Sequence, residues 1–159
     1  MLTLVEIAAA AEFETFKSLL LEYAHSDLSD PKNSSIWKDI DHLPGRYAAP
    51  GGCVFFAYWN GELAGCGAFA PTATAGMAEI KRVYVRSDFR RHGIARGLTH
   101  QLIARAPEAG YDTAAISTWD DNSRALTLYR QLGFVPIAQF KEHASTNLVY
   151  LGLDLSTRA

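Results

Sequence analysis

The chain has 159 residues, is 48% hydrophobic and 20% charged, carries a formal net charge of −2 and holds two cysteines. A chain of this length buries roughly 70% of its unfolded surface, so a single domain over residues 1–159 is expected. This balance excludes a disordered or collagen-like chain, no apolar run approaches the ~18 residues of a membrane span, and two cysteines do not make a disulfide framework.

Residues 1–11 contain Glu6 and no basic residue, so they do not read as a secretory signal, and a cytoplasmic location is expected. Phe13, Phe16, Leu20 and Tyr23, with Leu19 beside them, form one apolar stripe and predict a helix. Residues 25–35 are polar and include Pro31, which reads as a loop. A short helix is expected over about residues 35–43, stopped by Pro44-Gly45. Residues 54–59 and 63–69 are strand-like and flank Asn60-Gly61, a strong hairpin signal. With those two residues in the turn, Cys53 faces Ala68 and Cys66 faces Phe55. Both cysteines then share one face as diagonal neighbours about 7–8 Å apart, too far for an unstrained disulfide.

Residues 77–85 form the next strand, and apolar side chains at both parities give it a central, covered position. A polar loop over residues 86–93 leads into a helix over about 94–106, where Ile94, Leu98, Leu102 and Ala106 recur every fourth residue. A strand over 112–118 precedes Asp121-Asn122-Ser123, a run of good N-cap residues. The helix after it carries Ala125, Leu126, Tyr129 and Leu132 and stops at Gly133. Strands are expected over about 135–141 and 147–155. The order is helix, helix, hairpin, strand, helix, strand, helix, strand, strand, an α/β (α+β) arrangement built on a mixed sheet with helices on both faces.

Charge is unevenly spread. Residues 1–80 hold 10 acids and 4 bases, whereas residues 81–159 hold 7 acids and 11 bases. Lys81, Arg82, Arg86, Arg90, Arg91 and Arg96 cluster, with His92 among them, on a chain that is acidic overall. Such a local cluster fits a small anion better than nucleic acid, whose binders are basic across the surface. Arg90-Arg91-His92-Gly93-Ile94-Ala95 lies between a strand and a helix, where unpaired amides and the positive end of the helix dipole make an anion site. Gly93 admits close approach of a ligand to the backbone, Ala95 keeps the next position small, and the arginines add charge, which suits a pyrophosphate. No Walker A loop and no dinucleotide fingerprint is present, which weighs against a general nucleotide-phosphate binder.

The pattern Arg90-x-x-Gly93-x-Ala95, placed after a strand ending Arg82-Val83-Tyr84-Val85, resembles the acetyl-CoA-binding motif of the GNAT N-acyltransferase superfamily. Asn122-Ser123-Arg124-Ala125, followed by Leu128-Tyr129 and Gly133-Phe134, resembles that superfamily's late helix. The resemblance implies a GNAT-like fold with a mostly antiparallel sheet, splayed at the cofactor-binding strands. It implies acetyl-CoA as co-substrate, no metal, and an N-acetyltransferase that moves an acetyl group to a primary amine by direct attack on the thioester. A non-catalytic acyl-CoA sensor with the same fold is the alternative. The pantetheine arm would bond to the backbone of Val83, Tyr84 and Val85, and the pyrophosphate to main-chain amides around Arg91, His92, Gly93, Ile94, Ala95 and Arg96. Asn122 matches a pantetheine-bonding position, and Tyr129 matches the tyrosine beside the thioester sulfur.

Tyr129 would protonate the departing thiolate, which a phenol with an ordinary pKa near ~10 can do at neutral pH. Glu79 stands where histone-type members carry a carboxylate base; an ion pair with Lys81 or an arginine is its structural alternative. The acceptor site of this fold usually lies between the first two helices and the last two strands. There Asp27, Asp30, Asp39 and Asp41 favour a cationic amine, Trp37, Tyr47 and Trp119 are candidate lining residues, and His143 is a second candidate base. The partners expected are acetyl-CoA and a small amine or a peptide or protein amine, with no nucleic acid and no membrane. The resemblance also allows a homodimer.

Overall fold

The structure, a computed structural model, describes residues 1–28, 32, 34–143 and 145–156. Its elements run β1 (Leu2–Glu6), α1 (Ala10–Ser26), α2 (Ile36–Asp41), β2 (Cys53–Trp59), β3 (Glu62–Pro71), β4 (Met77–Val85), α3 (Ile94–Arg105), β5 (Thr113–Trp119), α4 (Ser123–Gln131), β6 (Val135–Pro136) and β7 (Leu148–Asp154). The strands form one sheet in the order β1-β2-β3-β4-β5-β7-β6. Among the described residues only the β4–β5 contact is parallel; the other ladders are antiparallel. Among the described residues, no helix is long and apolar enough to cross a membrane.

Apolar alternation decides which helix covers which face. Phe55, Ile80, Ile116 and Leu151 point to one side and meet Ile94, Leu98 and Leu102 of α3 and Leu126 of α4. Val54, Phe56, Ala68 and Tyr84 point to the other and meet Phe16, Leu19 and Leu20 of α1 and Ile36 of α2. The central strands are therefore buried on both faces, as their two-parity apolar pattern requires. The start of α1 has no polar N-cap residue; Glu12 reaches back and accepts the amides of Ala8 and Ala9 at 3.0 and 2.9 Å. Those two amides hold its carboxyl below the usual range, and a negative charge in the first turn also suits the helix dipole.

Three expectations change. Leu2–Glu6 is a strand along the outer edge of β2, with Leu2 and Leu4 packed on the α3-side core. Its alternation is only two apolar pairs long, and its outward side chains meet solvent. The Asn60-Gly61 hairpin forms, but a bulge between Ala57 and Tyr58 advances the register by one residue. Cys53 then faces Phe69 and Cys66 faces Phe56, so the cysteines belong to opposite faces of the sheet; both are free and buried. Finally, the strand expected over 135–141 is reduced to Val135–Pro136. After Ile137 donates to the Tyr150 carbonyl at 3.0 Å, the chain leaves the ladder. The ring of Phe140 sits edge-on to Tyr150, and Lys141 reaches Glu79 on β4, so side-chain contacts replace pairing there.

A second bulge shapes β4. Its register with β3 shifts between Cys66 and Ala68, and Arg82 takes φ +58, the left-handed region. The extra residue puts Lys81 and Arg82 on the α2 side and returns Val83 and Val85 to the α3 side. Gly65 permits the close approach, because a Cβ there would lie 2.2 Å from the Tyr84 carbonyl oxygen.

Candidate active site

The loop before α3 is built to present amides. Arg91 has φ +70 and Gly93, the N-cap of α3, has φ +73. The first helical hydrogen bond runs from the Gly97 amide to the Gly93 carbonyl at 3.0 Å. The amides of Gly93, Ile94, Ala95 and Arg96 consequently have no acceptor within the helix and lie at its positive end. Three side chains tie the loop down. Arg90 donates to Asp27 at the end of α1 at 2.6 Å and to the Val85 carbonyl at 3.0 Å. His92 stacks on Trp59 with centroids 4.4 Å apart, and Arg96 bonds Gln131 on α4. Arg91 is exposed.

Beside this loop the sheet opens. β4 and β5 pair at Met77–Thr113, Ala78–Ala114 and Glu79–Ala115, and the ladder stops there. β4 continues to Val85 without β5, while β5 stays paired to β7 as far as Trp119. The Arg86 amide donates to Ala64 of β3 at 2.8 Å. By strand alternation, Val83 and the Val85 amide turn the other way, toward the opening, while the Val85 carbonyl is held by Arg90. Tyr84 turns its side chain to α1, where its hydroxyl donates to Glu22 at 2.9 Å and its ring stacks on Tyr23.

A cleft of about 200 Å³ occupies the split on the α1 side. Tyr23, Glu79, Lys81, Trp119, Asn122 and His143 are among its walls. Asn122 caps α4: its Oδ1 accepts the Ala125 amide and its Nδ2 donates to Thr118, both at 3.3 Å. Trp119 meets the His143 ring edge-on at 5.9 Å, and His143 Nδ1 accepts the Ser145 amide at 2.9 Å, which leaves the ring proton on Nε2. Glu79 is 3% exposed. Its Oε2 accepts from Lys141 at 2.5 Å, and its Oε1 lies 3.9 Å from the Lys81 ammonium. Burial first, and then the Arg82 charge, push Lys81 down to about 8.

In this chain β4 and β5 part beside a helix whose first amides have no acceptor within the helix. The sequence profile of the acetyltransferase (GNAT) family matches residues 13–134. The chain belongs to that family. It is 27% identical over 146 residues to an uncharacterised N-acetyltransferase of Schizosaccharomyces pombe, covering 91% of this chain and 90% of that one. It is 31% identical over 138 residues to an IAA acetyltransferase of Azospirillum brasilense, covering 86% and 88%. A GNAT family acetyltransferase from Elizabethkingia anophelis, solved with acetyl-CoA bound, superposes with a TM-score of 0.68 at 23% identity over 96% of this chain and 97% of that one.

In this acetyltransferase the late-helix tyrosine, Tyr129, packs partly buried against the α3-side core and is not among the residues that line the cleft. Its ring lies 5.9 Å from Phe134, and burial, followed by the neighbouring Tyr23, pushes its phenol up to about 12. The candidate lining residues divide. Trp119 lines the cleft, whereas Trp37 sits by the His25 ring and Tyr47 is 1% exposed in the α1-side core. Tyr47 donates to Asp39 and packs edge-on to Phe16.

The acidic acceptor region expected from the sequence is not what forms. Asp39 is taken by Arg82 at 2.9 Å, Asp27 by Arg90, and Asp41 is exposed; Asp30 lies outside the described residues. Pairing has taken up Asp39 and Asp27, and Lys81 and Lys141 are among the side chains that line the opening. Lys141, Tyr23 and Tyr150 were not singled out in the sequence. Lys141 sits in an aperiodic polar stretch with no local signal, and Tyr23 and Tyr150 read as ordinary apolar-face residues.

Proposed function

We propose that this acetyltransferase, acting as one domain over residues 1–159 in the cytoplasm, transfers an acetyl group from acetyl-CoA to a primary amine that attacks the thioester directly. The observation that carries the reading is the parting of β4 from β5 beside the free amides of α3. The fit is steric as well as electrostatic, since a Cβ at Gly93 would meet nothing within 4 Å. Acetyl-CoA supplies an activated acyl carbonyl and a thiolate leaving group.

The chain's residues supply the rest. The amides of His92, Gly93, Ile94, Ala95 and Arg96 hold the pyrophosphate, with Arg91 adding charge from its exposed position. Arg90 acts through Asp27 and Val85, fixing the loop and not the ligand. The backbone groups of Val83 and the Val85 amide align the pantetheine beside Tyr84 and Asn122, and an amide at Val83 faces the developing oxyanion. Tyr129 returns a proton to the thiolate, and Glu79 removes one from the acceptor ammonium.

A calorimetric titration with acetyl-CoA, followed by free-thiol release with amine acceptors, tests this reading. Binding with turnover is expected. Binding without turnover on any amine would favour a sensor, and no binding would overturn the loop assignment.

Two variants test the proton transfers. Tyr129→Phe lowers kcat by about tenfold to a hundredfold with acetyl-CoA affinity unchanged. Because Tyr129 titrates only at about 12, its raised pKa keeps the acid form present across the working range. The wild-type kcat therefore shows no alkaline fall from this group up to about pH 10. Wild-type turnover in the variant would return Tyr129 to the core. Glu79→Gln lowers kcat/KM at neutral pH roughly a hundredfold. The variant's activity then climbs with pH as the acceptor amine deprotonates by itself; an unaltered pH–rate profile would remove Glu79 as base.

A further inference from the structure

The Glu79 cluster has more positive charge than negative. One carboxylate, 3% exposed, faces two ammonium groups, Lys141 at 2.5 Å and Lys81 at 3.9 Å. The remaining acids nearby do not redress this. Asp39 is engaged by Arg82 and by Tyr47, and Asp27 by Arg90. A cation removed from water without a counter-charge is unstable, and Lys81 shows it, since burial and the Arg82 charge push its pKa down to about 8.

The cluster is also where two openings join. The cleft at the split continues outward into a groove of about 680 Å³ that shares Ser34, Ser35, Glu79, Lys81, Lys141 and His143 with it. The outer groove adds Lys38 and Arg46 against one further acid, Glu142, which is exposed. An acceptor moving toward the thioester therefore passes lysines on both sides.

A third observation is independent of charge. The Tyr150 hydroxyl is buried and has no hydrogen-bond partner among the described residues. Tyr150 faces Ser117 across the β5–β7 ladder, on the same side of the sheet as Glu79 and under the ring of Phe140, which lines the groove. The Glu79 charge reaches its phenol, adding to the upward push of burial. Two ammonium groups on one buried carboxylate, where the two openings join, make a place for an anion.

We infer that the acceptor is an amine that itself carries a carboxylate, as an amino acid does, and that Lys81 and Lys141 hold that carboxylate while Glu79 faces the amine. This rests on the acetyl-transfer reading above and names its substrate class. It reverses the cationic acceptor expected from the acids of the first half of the chain. The carboxylate supplies the missing negative charge. Lys81 and Lys141 are specificity residues and take no part in the proton transfers.

The test uses the full chain with acetyl-CoA and free-thiol release. The panel sets α-amino acids, β-alanine and γ-aminobutyrate against the matching amides, with spermidine as the cationic comparison. The best carboxylated acceptor should exceed its own amide by at least about tenfold in kcat/KM. Lys141→Gln should raise KM for that acceptor about tenfold, Lys141→Arg should restore most of it, and calorimetric affinity for acetyl-CoA should stay at the wild-type value in both. Equal or better turnover of amides or spermidine, turnover of no panel member despite acetyl-CoA binding, or an unchanged KM in Lys141→Gln overturns the inference. Comparing acids with amides on the wild-type chain needs no variant to fold. A wild-type chain that fails to bind acetyl-CoA overturns the acetyl-transfer reading itself, a result distinct from any outcome of the acceptor panel.

Discussion

Asp39→Ala lowers the melting temperature by roughly 10 °C, the largest stability loss expected from any single polar side chain here. Asp39 is 7% exposed. Its Oδ2 accepts the Arg82 guanidinium through Nε at 3.0 Å and Nη2 at 2.9 Å, together with the Tyr47 hydroxyl. Arg82 also donates to Ser35 at 2.8 Å, and it is the bulge residue with φ +58. The network thus joins the start of α2, the turn carrying Tyr47 and the bend in β4. Removing the carboxylate leaves a buried guanidinium without its counter-charge, a loss of about 3–5 kcal/mol. For a domain of this size, each kcal/mol moves the melting temperature by roughly 2–4 °C. Differential scanning calorimetry measures it. The double variant Asp39→Ala, Arg82→Met should recover most of the loss, because it removes the stranded charge as well. A single variant that melts within about 3 °C of wild type would show that the pair is dispensable. The consequence extends to function, since the bulge turns Val83 and Val85 toward the split.

Gly93→Glu weakens acetyl-CoA binding by at least about a hundredfold, or ~2.7 kcal/mol, while lowering the melting temperature by only roughly 2–8 °C. Gly93 is exposed, and a Cβ there meets nothing within 4 Å, so no packing is lost. Its φ of +73 makes any L side chain strained, which costs about 1–2 kcal/mol. The new carboxylate stands over the free amides of α3 and competes for them as an internal anion. Gly93→Ala carries the same strain without the charge and separates the two effects: it should melt like Gly93→Glu but bind acetyl-CoA within about tenfold of wild type. Retained affinity in Gly93→Glu would place the pyrophosphate elsewhere.

Helices were legible because their signals are short-ranged. The stripe Phe13, Phe16, Leu19, Leu20 is buried as its spacing requires, and Asn122 caps α4 from the position its residue type indicates. The hairpin was legible as a turn but not as a register, since a one-residue bulge between Ala57 and Tyr58 has no sequence marker. That slip separated two cysteines expected side by side. The strand at 135–141 failed for a different reason. Its β propensity is local, but pairing depends on what lies across from it, and Lys141 is drawn to Glu79 instead.

The sequence alone determined the family, the left-handed glycine at the start of α3 and the cap at Asn122. Each is written in short local stretches, the family in two of them (residues 82–95 and 122–134), as a spacing or as the backbone freedom of Gly93. Only the tertiary structure decided the charge of the cleft at the split. Arg82 and Asp39 are 43 residues apart, Arg90 and Asp27 are 63 apart, and Lys141 and Glu79 are 62 apart. Ion pairs over such distances have no signature in local composition. They took up Asp27 and Asp39 and left two lysines facing one carboxylate at the opening.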